Sequence, residues 1–326
     1  MPSKSFLIAL LVVTSLNLTN LPGQDSGCTR RTVPVSVVDD QWLPVQGLSA
    51  ANFRGKLRGH DVEILSAYID TSPRLIVLLL DASGSMIGEG WETAKSLSQD
   101  LIRFAPQRAS IAQMAFSDRV LGTAGFDQDR LALLKRLAAL VKGCEQPHLG
   151  GRTALFDAIA SARGTSGGLA FGDVIFAMTD GGDNRSRTKP ERVEQDLLGT
   201  RVRLFAALID QRRDRRGTAP GEVEGANRFL SMVEATGGNM LSLRYAGALY
   251  PYPYFKTKTR TEAISLALQR LCEQMGEFYL LELRLPETVD KETKWKLEVI
   301  QANGRPGRKV QVHYPGQLMP CAKGCP

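Results

Sequence analysis

From residue 74 onward, apolar positions alternate between short uninterrupted runs and longer stretches with apolar residues three and four positions apart. Uninterrupted runs are typical of strands covered on both faces, and the three-and-four spacing is typical of helices with one buried face. The pattern predicts strands at 75–80, 110–116, 120–123, 174–178, 202–209 and 240–243. It predicts helices at 91–104, 127–141, 153–163, 190–198, 227–236 and 261–275. Such alternation indicates a doubly wound, mostly parallel sheet.

The helix predicted at 127–141 has the clearest apolar stripe in the sequence. Each member lies three or four positions from another member along the helix. They are therefore expected to form one face packed against the sheet. The stripe consists of Leu131, Leu134, Leu137, Ala138 and Val141.

The segments on either side of this unit have a strand pattern without intervening helices. Strands are predicted at 33–38 and 62–69, as a hairpin, and at 278–285, 295–300 and 310–314. Because domain termini tend to lie close together, the two flanks are expected to form one small antiparallel β-domain. The predicted fold class is α/β with this flanking domain, divided into β-segments at 29–70 and 277–315, the α/β domain at 74–276 and a Cys-containing tail at 316–326.

The first 24 residues have the organisation of a secretory signal peptide. Lys4 precedes an apolar run at 6–13, and Pro22 and Gly23 follow it. The run is shorter than the roughly 20 apolar residues that span a bilayer, so cleavage is favoured over the alternative of an uncleaved membrane anchor. The expected location is secreted or periplasmic, where disulfides form.

Five cysteines can pair in such a compartment, and an odd number leaves one over. Two pairings of the tail stay open: a small ring between Cys321 and Cys325, or a bond from the tail to Cys28. Cys144 and Cys272 are the other two cysteines.

The composition is that of an ordinary folded protein. Hydrophobic residues make up 43% of 326 positions and charged residues 23%, which excludes a disordered chain or a multi-span membrane protein. The net charge of +7 is too small to indicate nucleic-acid binding. A basic segment at 211–217 and an aromatic segment at 249–255 are predicted to be surface loops. The basic segment is either solvated or a patch for an anionic partner, and the aromatic segment either packs against the β-domain or contacts a partner.

Oxygen-bearing side chains follow the most apolar run directly. Asp81 is followed at alternate positions by the hydroxyls of Ser83 and Ser85. Thr153 stands where a helix is predicted to begin, and Asp180 follows another apolar run. Open α/β sheets bind ligands at the carboxyl ends of their strands, so these five side chains are expected to converge there. Carboxylate and hydroxyl oxygens favour a hard cation, Mg²⁺ first, with Mn²⁺ or Ca²⁺ as alternatives.

Three motifs resemble the von Willebrand factor type A family with its metal-ion-dependent adhesion site. They are Asp-x-Ser-x-Ser at 81–85, Gly-Gly-x-Thr-Ala-Leu-x-Asp-Ala-Ile at 150–159 and Thr-Asp-Gly at 179–181. The resemblance covers about residues 74–243. The flanks, especially 33–53, resemble a bacterial exported group that embeds this domain between short β-segments.

The resemblance implies a role for each of the five residues. Ser83 and Ser85 would bind the ion directly, Thr153 directly or through water, and Asp81 and Asp180 largely through water. The ion would complete its shell with an Asp or Glu carboxylate of a protein partner. The implied function is therefore metal-dependent, adhesion-type protein binding without catalysis.

Three nearby residues lie outside this ligand set. Arg152 separates the two glycines from Thr153, which puts a cation beside the site and favours an acidic partner. Asp157 and Asp183 are expected to orient loops or cap backbone groups rather than touch the ion.

Two other functions remain as alternatives. A scaffold subunit of a cell-envelope assembly would use the β-domain, the aromatic segment or the cysteines for a permanent contact. A Mg²⁺-dependent phosphatase with Asp81 as nucleophile would need a second acid two residues on, where the chain has Ser83.

Overall fold

The computed structural model describes residues 28–143, 151–210, 220–244, 259–300 and 310–321. The predicted signal peptide, the basic segment 211–217 and the aromatic segment 249–255 lie outside these ranges, as do Cys144 and Cys325. The described residues form one six-stranded and one seven-stranded sheet.

The strands are β1 Arg30–Val38, β2 Phe53–Leu57, β3 His60–Asp70, β4 Leu75–Asp81, β5 Ser110–Phe116, β6 Val120–Ala124, β7 Val174–Thr179, β8 Arg203–Asp210, β9 Met240–Arg244, β10 Phe278–Arg284, β11 Thr293–Val299, β12 Gln311–His313 and β13 Gln317–Leu318. The helices are α1 Glu89–Phe104, α2 Arg130–Gly143, α3 Leu155–Arg163, α4 Pro190–Thr200, α5 Pro220–Ala235 and α6 Arg260–Gly276. The predicted α/β elements agree with these to within a few residues, except that α5 begins seven residues before the predicted start.

The six-stranded sheet has the order β6-β5-β4-β7-β8-β9 and is parallel except for the edge strand β6. Alternate residues of β4 explain why its sequence is apolar throughout. Leu78 packs with α1, α2 and α6 on one face, whereas Leu79 packs with α3, α4 and α5 on the other. A strand between two helical layers buries both faces, so the doubly wound α/β fold is confirmed.

The buried face of α2 differs from the prediction. Leu133 and Leu137 are buried against the sheet, whereas Leu131 is 61% exposed and Ala138 is exposed. Leu134 is half-buried, and the side chain of Val141 lies outside the described part. The helix has two overlapping apolar stripes, and tertiary packing selects the one that includes Leu133.

The two flanks do form one antiparallel sheet, in the order β12-β1-β10-β3-β2-β11-β13. The predicted hairpin of 33–38 with 62–69 is wrong, because β10 lies between β1 and β3 and pairs with both. The hairpin partner of β3 is β2, a strand that was not predicted. The turn between them has positive φ angles at Arg58 (50°) and Gly59 (90°), as a tight two-residue hairpin turn requires.

A buried arginine joins the two sheets. Arg203, 1% exposed, donates to the carbonyl oxygens of Met275 (2.7 Å) and Gln274 (3.0 Å) in the last turn of α6. Its guanidinium also lies 3.9 Å from the ring centroid of Phe278, the first residue of β10. Arg203 therefore satisfies helix carbonyls that would otherwise be unpaired, at the point where the chain passes into the β-domain.

A second contact between the two domains depends on two glycines that follow α5. Gly237 has φ +74°, and a Cβ there would lie 2.8 Å from the carbonyl carbon of Tyr314. A Cβ on Gly238 would lie 1.7 Å from the carbonyl oxygen of Leu204. Only glycine allows the segment after α5 to lie this close to both sheets.

The cysteine pairing is seen in part. Cys28 and Cys321 form a disulfide with a Cα–Cα distance of 5.7 Å, so the tail is bonded to Cys28. Cys272 is a buried thiol. None of the described helices is both long and apolar enough to cross a membrane.

Candidate metal centre

The candidate site lies at the carboxyl end of the parallel strands, between β4 and β7. The chain runs from β4 outward through β5 in one direction and through β7 in the other, so this is the point where the strand order reverses. Asp81 is the last residue of β4, and Asp180 follows β7 directly. Ligands of open α/β sheets bind at such a reversal point.

The loop after β4 brings two hydroxyls together. The backbone N–H of Ser83 donates to Asp81 Oδ1 (2.9 Å), which folds the loop back on the carboxylate. Ser83 Oγ and Ser85 Oγ are then 3.1 Å apart, the first buried and the second exposed. The N–H of Gly84 donates to the carbonyl of Gly151 (3.3 Å), which ties this loop to the segment containing Thr153.

Asp81 is fully buried and held at both oxygens. Its Oδ2 accepts from Thr179 Oγ1 (2.6 Å), while Thr179 Oγ1 accepts from the N–H of Gly181 (3.0 Å). Burial and the neighbouring Asp180 carboxylate raise the pKa of Asp81 to about 7, against hydrogen bonds from Thr179 and Ser83 that favour ionisation. Asp180 is 6% exposed, and its Oδ1 accepts from the N–H of Gly182 (3.0 Å). The site therefore holds two buried carboxylates close together.

The segment before α3 contributes Thr153, which is buried. Asn184 Oδ1 accepts from the N–H of Thr153 (2.9 Å), and the carbonyl of Thr153 accepts from the N–H groups of Asn184 and Arg185 (3.0 Å each). The Thr153 hydroxyl makes no hydrogen bond to any residue in the described part of the chain. Its backbone is thus fixed while its oxygen stays available.

The carboxylates of Asp157 and Asp183 point to backbone groups. Asp157 accepts from the N–H groups of Arg187 and Thr188 (2.9 Å each). Asp183 Oδ2 accepts from the N–H of Phe156 (3.0 Å) and from a serine hydroxyl three residues on. Both residues orient the loops around the site.

These donors fit a hard divalent cation. The oxygens of Ser83 and Ser85 are separated by 3.1 Å, and adjacent oxygens around an octahedral Mg²⁺ are roughly 3.0 Å apart, given metal–oxygen distances of about 2.1 Å. Among the described residues, neither Asp81 nor Asp180 has a cationic ion-pair partner. In the same ranges no group of three or more His, Cys, Asp or Glu side chains is placed to hold a metal ion. The candidate donors of the site are two carboxylates and three hydroxyls.

Sequence reasoning missed the supporting residues. Thr179 and Asn184 hold Asp81 and Thr153 in place, and Ser186 completes the loop around Asp183. Thr179 stands within the Thr-Asp-Gly motif, which was a signal for it, whereas no pattern in the sequence indicated that Asn184 and Ser186 support the site.

No protein-family model matches the sequence, and no curated protein matches it. Solved structures that resemble the chain include an aerotolerance-related membrane protein from Bacteroides fragilis, 14% identical over 62% of this chain and 99% of that chain, with a TM-score of 0.43. A von Willebrand factor type A protein from Catenulispora acidiphila is 14% identical over 92% of this chain and 75% of that chain, with a TM-score of 0.41. A manganese-loaded TRAP protein from Plasmodium vivax is 15% identical over 76% of this chain and 96% of that chain, with a TM-score of 0.39. A protein of the von Willebrand factor type A family, which the sequence motifs resemble, is thus one of these solved structures.

Proposed function

We propose that the chain is a divalent-cation-dependent protein-binding module. Ser83, Ser85 and Thr153 would hold Mg²⁺, or Mn²⁺ or Ca²⁺, through their hydroxyls, with Asp81 and Asp180 supplying charge. The observation that carries the proposal is the pair of buried carboxylates, without a cationic partner among the described residues, beside two hydroxyls 3.1 Å apart.

The charges of the site favour an acidic partner. Both oxygens of Asp81 already accept hydrogen bonds from protein groups, so this carboxylate is suited to act through an intervening water. Hydroxyl ligands are neutral, and the cation would therefore remain attractive to a further anion. A carboxylate from an Asp or Glu of another protein supplies that charge and an oxygen ligand together.

The burial of Asp81 argues against the phosphatase alternative. A nucleophilic carboxylate must reach the phosphorus atom of its substrate. Asp81 is 0% exposed and engaged at both oxygens, and Ser83 stands where such enzymes place a general acid. The geometry supports binding over catalysis.

The disulfide between Cys28 and Cys321 supports an exported location. Disulfides persist in the periplasm and outside the cell and are rare in the cytosol. The N-terminal sequence leads to the same expectation of a secreted or periplasmic protein.

Calorimetric titration tests the metal site. Mg²⁺ and Mn²⁺ are titrated into chelator-stripped protein and into the Ser83→Ala, Ser85→Ala double variant. Saturable binding is expected in the parent and is expected to be lost in the variant, because two direct ligands are removed. Ser110→Ala, at the opposite end of the parallel strands, is the matched control and should bind as the parent does. Equal affinity in the double variant would contradict the assignment.

A chelator then distinguishes the two binding functions. A partner released by EDTA supports the adhesion-type module, since its contact depends on the ion. A partner that stays bound in EDTA supports the scaffold alternative.

A further inference from the structure

A cavity opens beside the candidate metal centre. Its volume is 420 Å³, and it begins at Ala154, the residue after Thr153. It continues along α3 to Ser161, which is about 10 Å of helix at 1.5 Å per residue. The side chains of Arg119, Arg185 and Arg187 form much of the remaining wall.

The loop that carries two of these arginines is held firmly. The N–H of Arg185 donates to the carbonyl of Thr153 (3.0 Å), and the N–H of Arg187 donates to Asp157 Oδ2 (2.9 Å). The same loop begins at Asp180, so the metal centre and the arginines share one backbone segment. Because the backbone of this loop is already fixed, less conformational entropy is lost when its side chains bind a ligand.

The arginine head groups are available. Both are exposed, and within the described ranges the guanidinium groups of Arg185 and Arg187 make no hydrogen bond or ion pair. The wall also contains two carboxylates, and against its partial burial the pKa of Asp157 is lowered by hydrogen bonds together with the charge of Arg187. Three arginines against two aspartates leave the wall with a net positive charge. Asp157 accepts two backbone N–H groups, and Asp118 is paired with Arg119 (3.5 Å) and accepts from Ser117 Oγ (3.3 Å).

We infer that this cavity is a second anionic subsite of the metal face, in which Arg185 and Arg187 bind an additional carboxylate of the same partner. The inference rests on the proposed function and narrows the partner to a protein segment with two acidic residues. One carboxylate completes the shell of the ion, and the other lies up to about 10 Å away along α3. In an extended segment rising about 3.3 Å per residue, the two acids are roughly two or three residues apart.

Fluorescence anisotropy with two labelled peptides tests this inference. One peptide contains a single Asp among alanines, and the other contains two Asp residues separated by two alanines. In Mg²⁺ the parent protein is expected to bind the second peptide about fivefold more tightly, the order of magnitude for two exposed ion pairs. The Arg185→Gln, Arg187→Gln double variant should lose this preference while keeping its Mg²⁺ affinity and its affinity for the first peptide.

Arg192→Gln is the matched control, because Arg192 is exposed on α4 and does not line the cavity. It should keep the preference for two carboxylates. Equal binding of the two peptides to the parent, or a preference that survives in the double variant, would overturn the inference. Peptide binding unaffected by EDTA would instead overturn the proposed function, and an arginine-dependent preference under those conditions would still support the subsite.

Discussion

The hydroxyl of Thr179 is expected to control metal affinity without touching the ion. It donates to Asp81 Oδ2 at 2.6 Å and accepts from the N–H of Gly181 at 3.0 Å, in a fully buried position. Thr179→Val keeps the shape of the side chain and removes both hydrogen bonds. Asp81 would then lose one of the two donors that hold and stabilise its negative charge.

The magnitude follows from the type of hydrogen bond. A hydrogen bond to a charged group contributes about 1.5–3 kcal/mol, and loss of an outer partner in a metal site typically costs about 10- to 100-fold in affinity. We expect Mg²⁺ affinity to fall by about 10- to 100-fold. The free energy of unfolding should also fall, by about 1–3 kcal/mol, because the N–H of Gly181 is left buried without its acceptor.

Calorimetry of Mg²⁺ binding and urea denaturation measure the two effects on the same samples. Thr200→Val is the matched control, since the Thr200 hydroxyl donates to the carbonyl of Asp196 (2.7 Å) near the end of α4. That variant should bind Mg²⁺ as the parent does. A Thr179→Val protein that binds Mg²⁺ within twofold of the parent would refute the role assigned to Asp81.

Three further predictions concern stability and can be measured by urea denaturation. Gly238→Ala places a Cβ 1.7 Å from a backbone carbonyl oxygen and should cost about 3 kcal/mol or more, whereas Gly199→Ala, within α4 with open space around it, should stabilise by about 0.5–1 kcal/mol. Burial lowers the pKa of His313 from 6.5 to about 4. Between these pH values the imidazole is protonated in the unfolded chain but neutral in the folded chain. The contribution of His313 to stability should therefore fall by about 3 kcal/mol from pH 6.5 to 4, which is measured as the difference between the parent and His313→Gln at the two pH values, because Asp81, whose pKa is raised to about 7, acts in the opposite direction in both proteins. Leu137→Ala should cost about 2–5 kcal/mol and Leu131→Ala less than about 0.5 kcal/mol, and the reverse order would contradict the observed face of α2.

The parallel sheet could be predicted from sequence because its strands are buried on both faces. Each of these strands is therefore an uninterrupted run of apolar residues, whereas a helix with one buried face has polar residues between its apolar ones. The buried side of α2 could not be predicted, since Leu131 and Leu133 begin equally good stripes and only the position of the sheet distinguishes them. Pairing in the β-domain was also inaccessible, because β1 and β3 are separated by β10, more than 200 residues later in the chain.

The sequence indicated which candidate ligands lie at this end of the sheet, but not the residues that hold them in place. Asp81, Ser83 and Ser85 follow an apolar strand at a spacing that is itself informative. The side chain of Asn184 accepts a hydrogen bond from the N–H of Thr153, a contact that depends on the proximity of two loops in the folded chain. The spacing of residues along the chain does not indicate such a contact between loops.

The side-by-side position of β3 and β10 has a mechanical consequence. The chain leaves the β-domain at Asp70 and returns at Phe278, and these two residues are direct cross-strand partners. Tension on the α/β domain that is directed along β3 and β10 would therefore load both strands at once. Interstrand hydrogen bonds lie across that direction, so the outer neighbours β1 and β2 would resist in shear, with many bonds loaded together. The antiparallel sheet would thus resist tension on the α/β domain, with the segment before its first strand bonded to the tail through Cys28 and Cys321.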